Sequence, residues 1–240
     1  MPGKNSIKTY GNNCYYHVYN RGVNKRKIFK DKQDYSVFLG YLKEYLLPRD
    51  QEMLLKILAD VSSTVRDKEL AKKQLRLNNF CDRVFLIAYC LMPNHFHFLI
   101  KQKDVQGMEL LMRSLMTRYT MYFNKRHGRI GTLFQSSYKA VLIESDAQLW
   151  HVSRYIHLNP VSGRILKGES LFDQITSQPS SYPVYLEKIK QDWVKTEIIL
   201  SNFSQSGFSS YQSFVELRDN DFEVETTLIS APLAIDNEDA

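Results

Sequence analysis

Residues 91–100 read Leu91-Met92-Pro93-Asn94-His95-Phe96-His97-Phe98-Leu99-Ile100, and this stretch decides how the chain folds. Pro93-Asn94 is a turn signal between two apolar runs, so we predict a β-hairpin whose return strand begins at His95. Side chains at positions i and i+2 of a strand project from the same face of a sheet. His95 and His97 therefore point together at one spot, while Phe96 points the opposite way into the core.

Two imidazoles side by side on a sheet face form half of a metal site, since neutral imidazole is a common metal ligand. The alternative interpretation is a pair of half-exposed strand histidines with no ligand role. A third ligand would come from a neighbouring element. The helix predicted before Asn159-Pro160 offers Tyr155 and Asn159, which are four residues apart and share one helix face. Asn159 can donate a carbonyl oxygen to a hard divalent ion, and Tyr155 can serve as an oxygen nucleophile.

The chain around the hairpin alternates strand-like and helix-like segments. A strand is predicted at 15–20, helices over 31–47 and 107–125, and a short strand at 138–143 before the helix that carries Tyr155. The order β-α-β-β-α-β-α predicts an α+β fold of the ferredoxin-like or RRM-like type. Such a split βαβ sandwich has an antiparallel central sheet, here with the hairpin expected in its middle and two helices on one face.

Three other regions flank or interrupt the domain predicted over residues 1–165, which carries the histidine pair and Tyr155. Residues 50–79 are highly charged with two weak helical patterns, which predicts a helical insertion. Residues 166–218 predict a C-terminal helical extension. Residues 219–240 hold seven Asp and Glu and no Lys or Arg, and we predict that this acidic tail is disordered.

The charge distribution points to a polyanionic partner. Without the seven tail carboxylates, 19 acidic residues face 32 Lys and Arg, so that residues 1–218 carry a net charge of +13. A generic solvated basic surface is the alternative. The residues expected to contact the phosphates or bases of a nucleic-acid partner are Arg21, Lys25, Arg26, Lys27, Lys125, Arg126, Arg129, Tyr138 and Lys139.

Several classes of protein are disfavoured by the composition. No apolar run approaches the ~18 residues that span a bilayer, and the first 13 residues lack the apolar stretch of a signal peptide. The three cysteines have no CxxC spacing, which indicates neither a disulfide framework nor a zinc knuckle. These features predict a cytoplasmic protein with no membrane partner.

The motifs of the chain resemble those of the HUH tyrosine transposases of the IS200-like class, and within it the REP-associated members. The resemblance covers residues 14–218, apart from 50–79. It is carried by Tyr16-His17-Val18-Tyr19-Asn20-Arg21-Gly22, Pro93-Asn94-His95-Phe96-His97-Phe98-Leu99-Ile100, Gly131-Thr132-Leu133-Phe134-Gln135, Arg154-Tyr155-Ile156-His157-Leu158-Asn159-Pro160-Val161 and Ser180-Ser181-Tyr182-x-x-Tyr185-Leu186.

This resemblance implies a function. His95 and His97 would bind Mg²⁺ or Mn²⁺, and Tyr155 would attack single-stranded, hairpin-bearing DNA to form a 5′-phosphotyrosine and a free 3′-OH. Asn159 stands where many IS200-like transposases have Gln, and it would be the third metal ligand. Because Pro160 follows, the αR conformation is disfavoured at Asn159. The resemblance also implies a bacterial, nucleoid-associated enzyme.

Alternatives remain open at this point. Tyr119 and Tyr122 lie in an aromatic stripe typical of core packing, and His17 and His157 have no defined partner, which favours structural roles. A domesticated protein that binds hairpin nucleic acid without cleaving it is the second functional hypothesis. A replication-initiator relaxase is the third, although it would need additional helicase or origin-binding regions. A homodimer with the tyrosine supplied in trans is an alternative to a monomer.

Overall fold

One antiparallel sheet organises the molecule, whose computed structural model describes residues 10–161, 170–207 and 209–216. Its strands lie in the order β2-β3-β1-β4. The strands are β1 Cys14–Arg21, β2 Val84–Met92, β3 His95–Gln102 and β4 Lys139–Ile143. The α+β, ferredoxin-like prediction is confirmed. The hairpin is not in the middle of the sheet, however: β3 is central, whereas β2 is an edge strand.

Two long helices cover one face of the sheet. They are α1 Lys32–Leu46, which Asp31 caps by accepting from the backbone N–H of Gln33 and Asp34, and α4 Gly107–Arg126. Their apolar sides pack on the inward positions of β1 and β3, where Phe96 and Phe98 are fully buried. As predicted, Phe96 points away from the histidine pair and fixes β3 to this core.

The opposite face of the sheet carries α5 Asp146–Leu158, whose N-cap is Ser145. The core on this side is built from α5, outward-facing positions of β2 and β3, and the C-terminal segment. The histidine pair lies on this face, because His95 and His97 alternate with the inward Phe96 and Phe98 along β3. The sheet thus separates the main core from the face on which the candidate site lies.

Residues 50–79 contain the two helices expected there, α2 Gln51–Ala59 and α3 Val65–Arg76. They pack mainly on each other, and each buries one residue: Leu54 in α2 and Ala71 in α3. The start of α3 is fixed by a capping box between Thr64 and Asp67. This pair therefore contributes little to either core.

The described part of the C-terminal segment contains short helices, which are α6 Leu171–Ile175, α7 Tyr182–Tyr185, α8 Glu197–Leu200 and α9 Tyr211–Glu216. Its chain also runs beside the free edge of β2: the N–H of Leu91 donates to Pro179 O, and the N–H of Lys195 donates to Leu86 O. These bonds cover an otherwise exposed strand edge. The acidic tail predicted at 219–240 lies outside the described residues.

Candidate active site

The two histidines of β3 and the helix α5 meet on one face of the sheet. His95 is 6% exposed and His97 is fully buried, so neither is a solvated surface histidine. Their rings are 5.1 Å apart between centroids and nearly perpendicular. The structure therefore brings the pair together at one buried spot, as the i, i+2 spacing predicted.

The tautomer of His95 is set by its neighbour in the hairpin turn. Nδ1 of His95 lies 2.7 Å from Oδ1 of Asn94. Because an amide oxygen only accepts, His95 donates its Nδ1 proton there, and Nε2 of a neutral ring is left with a lone pair. The turn is itself held in place, since the N–H of Gly22 donates to Asn94 O. Asn94 thus presents the Nε2 lone pair of His95 to the site.

Asn159 lies between the two imidazoles. Its Oδ1 is 3.1 Å from Nε2 of His95, and its Nδ2 is 3.4 Å from Nε2 of His97. With the Nδ1 proton given to Asn94, the contact at His95 joins two acceptors. If the side-chain amide of Asn159 is rotated so that its oxygen and nitrogen exchange places, the contact between two acceptors forms at His97 instead. This holds as long as both rings carry their protons on Nδ1. A cation between the amide oxygen and the Nε2 atom that faces it would remove this contact between two acceptors in either orientation of the amide.

The backbone of Asn159 differs from the sequence expectation. It adopts αR geometry, with φ −54° and ψ −36°, although Pro160 follows. The chain tightens here from α5 into a 3₁₀ turn over Asn159–Val161, where the N–H of Asn159 bonds to Ile156 O and Pro160 needs no donor. This turn outweighs the local preference and keeps Asn159 on the face of α5 that contacts the histidines.

Tyr155 packs against the same histidines. Its half-buried ring meets His97 edge-on at 5.6 Å between centroids, and meets His17 edge-on at 5.8 Å. Tyr155 and Asn159 are thus four residues apart and both face β3, as their spacing predicted. By contrast, Tyr119 is a core residue: it is fully buried and its hydroxyl donates to Ile28 O.

His17 was missed as a member of this site. It is fully buried on β1, and its Nε2 lies 2.8 Å from Nδ1 of His97. The two rings are nearly parallel, with centroids 5.0 Å apart. Burial lowers the pKa of His17 to about 3. Burial, followed by the neighbouring His17 and His95, holds the pKa of His97 well below its ordinary value, so that His97 stays neutral at pH 7.

His157 fastens α5 to the C-terminal segment. Its Nδ1 lies 2.8 Å from the hydroxyl of Tyr211, and its Nε2 lies 2.8 Å from the hydroxyl of Ser181. Ser181 also accepts from the N–H of Tyr89 on β2. His157 therefore has the structural role that was expected: its two ring nitrogens connect α5 to α9 and, through Ser181, to the edge strand β2.

Two imidazole nitrogens and one amide oxygen form a set of donors that could hold a divalent cation. Among the described residues no group of three or more His, Cys, Asp and Glu side chains could hold a metal ion, and the amide of Asn159 is a further donor beside the histidine pair. Asn159 supplies an amide oxygen 3.1 Å from His95 Nε2. Two donor atoms at this separation could both contact one small cation.

A basic pocket opens beside the hairpin turn. It has a volume of about 470 Å³, and its lining residues are Arg26, Lys27, Lys30, Phe123 and Arg129. Burial and the nearby Arg26 lower the pKa of Arg129, so positive charges are crowded here. The pocket gathers Arg26, Lys27 and Arg129 from the predicted DNA contacts. Two further lining residues, Lys30 and Phe123, were not among the predicted DNA contacts. Phe123 had been expected only as a core residue.

The other predicted DNA contacts are placed differently. Arg126 pairs with Asp31 and Asp34 at the start of α1, and Tyr138 is 5% exposed with its hydroxyl 2.6 Å from that of Tyr10. Lys25 and Lys125 are exposed, whereas Arg21 at the end of β1 is half-buried. Lys139 lies over the ring of Tyr19 at 5.9 Å.

The remaining motif segments support the site from outside. Residues 131–135 lie beside the end of β1: the N–H of Gln135 donates to Arg21 O, and the N–H of Val23 donates to Leu133 O. They hold the strand end from which Gly22 reaches the hairpin turn.

In the described part of the chain, no helix is long and apolar enough to cross a membrane.

Comparisons with known proteins bear on this arrangement. Residues 64–159 match the family model described as "Transposase IS200 like". This range contains the histidine pair, the Gly131–Gln135 segment, Tyr155 and Asn159. The match confirms the resemblance to IS200-like transposases over this part of the chain, and it supports a DNA-processing enzyme.

Similarities in structure are weaker. A REP-associated tyrosine transposase bound to a REP hairpin is 14% identical, with 85% of this chain and 94% of that chain covered and a TM-score of 0.47. The tRNA(His) guanylyltransferase from Saccharomyces cerevisiae is 13% identical, with coverages of 97% and 85% and a TM-score of 0.30. Both scores are low, and the fold assignment rests on the sheet order of this chain alone. No curated protein matches the chain in sequence.

Proposed function

We propose that this chain is a metal-dependent endonuclease and strand transferase for single-stranded DNA, of the REP-associated tyrosine transposase type. Its nucleophile is Tyr155, its metal ligands are His95, His97 and Asn159, and its cofactor is Mg²⁺ or Mn²⁺. The observation that carries the proposal is the amide of Asn159 between two imidazole Nε2 atoms, with Tyr155 packed on the same histidine. The IS200-like sequence of residues 64–159 supports the same reaction.

The reaction follows from a phenol beside an electrophilic phosphate. The hydroxyl oxygen of Tyr155 attacks phosphorus, the P–O3′ bond breaks, and a 5′-phosphotyrosine and a free 3′-OH result. The phenolic proton is released to water, and the departing 3′ oxygen takes up a proton. A bound divalent cation would polarise the phosphate oxygens. Because the new bond conserves the energy of the broken one, the 3′-OH of another strand can reverse the step and complete strand transfer.

The elements around Tyr155 restrict how it can act. His157 holds α5 to β2 and α9, and the edge-on rings of His17 and His97 limit the rotation of the Tyr155 side chain. Because nucleophile and ligands lie together within one chain, this geometry supports attack in cis. Holding reacting groups in place in advance removes much of the entropic barrier to attack.

The DNA strand would enter along the basic pocket. Arg26 and Arg129 line it. Four residues before Arg26, Gly22 donates its N–H to Asn94 O in the turn that orients His95. A phosphate held by these guanidinium groups would place the following nucleotides towards the histidines. Phosphate contacts of this kind fix the register of a strand without reading its sequence.

The first test is formation of a covalent adduct. Wild-type protein, incubated with a hairpin-bearing single strand and Mn²⁺, should give a protein–DNA species that survives denaturing electrophoresis. EDTA, or replacement of the substrate by a fully paired duplex, should abolish it. Salt-sensitive hairpin binding with no adduct under any metal condition would instead support the non-cleaving alternative.

A second test concerns the basic pocket. Arg129→Gln should weaken binding of the hairpin strand about 3- to 10-fold at low salt, and should reduce the slope of log Kd against log salt by about 1, because one phosphate contact is lost. Arg76→Gln, on the exposed side of α3, is the matched control and should leave both quantities unchanged. Equal behaviour of the two variants in fluorescence anisotropy titrations would remove the pocket from the DNA path.

A further inference from the structure

The hydrogen bond between His17 and His97 can be formed in two ways, because either ring can be the donor. Nδ1 of His97 and Nε2 of His17 are 2.8 Å apart, so one proton lies between the two rings. If His97 donates it, Nε2 of His97 bears a lone pair towards Asn159. If His17 donates it, the proton of a neutral His97 is on Nε2, and that nitrogen cannot be a ligand.

We propose that His17 is a positioning residue for the metal site: it accepts the Nδ1 proton of His97 and thereby exposes the Nε2 lone pair to the cation. This inference rests on the proposed function, because it assigns a role around the same metal ligands. Asn94 does the same for His95 from the hairpin turn. Each histidine ligand thus has its own acceptor, one on either side of the site.

The far side of His17 leaves the tautomer of its ring to be set at Nε2, where His97 lies. Its Nδ1 is buried and has no hydrogen-bond partner among the described residues. When His17 accepts at Nε2, its own proton lies on this unpartnered Nδ1. Buried donors without partners are rare in folded proteins and call for an explanation. The unpartnered N–H is a cost of this tautomer, and a cation bound at Nε2 of His97 would offset it, because outer acceptors of this kind fix ring orientation and raise ligand basicity.

The burial and the contacts of His17 suit a positioning role. It is fully buried, so it cannot reach solvent, and its own Nε2 is occupied by His97. Its ring packs on Tyr19 at 5.0 Å and edge-on against Tyr155 at 5.8 Å. Those contacts fix the ring plane that the hydrogen bond to His97 requires.

The first measurement uses wild-type protein with ¹⁵N-labelled histidine. With Mg²⁺ bound, NMR should show the His97 proton on Nδ1 and a ¹⁵N–¹⁵N coupling to Nε2 of His17 across the hydrogen bond. A proton found on Nε2 of His17 in the Mg²⁺-bound protein would overturn the proposal. This measurement needs no variant and no catalytic turnover.

The second measurement is Mn²⁺ affinity, followed by electron paramagnetic resonance. His17→Phe keeps a ring but removes the acceptor, and it should bind Mn²⁺ about 10- to 100-fold more weakly. His17→Gln restores an acceptor and should recover most of that loss. Wild-type affinity in His17→Phe would overturn the role of His17 alone. A wild-type protein that binds no Mn²⁺ would overturn this inference together with the proposed metal site.

Discussion

Tyr155→Phe should form no covalent adduct with a hairpin-bearing single strand, a loss of at least about 1,000-fold, because the variant lacks the oxygen that attacks phosphorus. The ring of Phe keeps the edge-on contacts with His97 and His17, so the fold and the DNA affinity should change little. Adduct yield on denaturing gels and hairpin affinity by anisotropy separate the two effects.

Tyr41→Phe is the matched control for this variant. The ring of Tyr41 lies under the guanidinium of Arg118 at 3.7 Å, and Phe preserves that contact. We expect wild-type adduct yield from it. Peptide mapping of the wild-type adduct should place the nucleotide on the peptide that contains Tyr155. An adduct on any other tyrosine, or a wild-type yield in Tyr155→Phe, would refute the assignment.

His157→Ala should cause a large loss of stability, about 3–4 kcal/mol in the free energy of unfolding. The change leaves the hydroxyls of Tyr211 and Ser181 without this partner and opens a cavity beside α5. His151→Ala is the control on the same helix: its ring contacts Phe214 near the surface, and the loss should stay under about 1 kcal/mol. Urea unfolding followed by circular dichroism, with EDTA present, measures both.

The same pair of measurements has a pH dependence with a defined sign. Burial lowers the pKa of His157 to about 3 from its ordinary 6.5. Between these values the unfolded chain binds a proton that the folded protein does not, so the stabilisation is complete above pH 6.5 and declines as the pH falls. At a pH of about 4.5 the wild type should have lost roughly 2–3 kcal/mol of the contribution of His157. The difference between wild type and His157→Ala should therefore shrink; an unchanged difference would contradict a neutral buried His157.

The local pattern was sufficient for the hairpin, the histidine pair and the helix with Tyr155. An i, i+2 spacing on a strand and an i, i+4 spacing on a helix each fix a shared face, whatever the rest of the fold does. For that reason His95, His97, Tyr155 and Asn159 converge as expected. The fold class followed from the element order, whereas the position of β2 at the edge depended on which strand pairs with β1.

His17 could not be placed from the sequence, because its role depends on strand register. β1 pairs with β3 so that Tyr19 lies opposite His97 and His17 lies opposite Leu99, which makes His17 a diagonal neighbour of His97. A register shifted by one residue would put His17 on the other face of the sheet. The alternation of β1 shows which residues share a face with His17, but the sequence does not show which strand pairs with β1 or in which register.

Side-chain partners account for the differences among the basic and aromatic residues. Arg126 was expected to contact nucleic-acid phosphates, and the structure pairs it with Asp31 and Asp34 at the start of α1. Tyr138 was expected to be available for stacking, yet it packs in the main core against the hydroxyl of Tyr10. In both cases the partner is more than 90 residues away in sequence, beyond the reach of any local pattern.

The covering of β2 by the C-terminal segment bears on how this protein could be divided. The sequence suggests a cut after residue 165, yet a fragment ended there would lose Ser181 and Tyr211, which hold His157, and would present the bare edge of β2 to other chains. Anyone who fuses this domain to another protein should therefore carry the chain through Glu216.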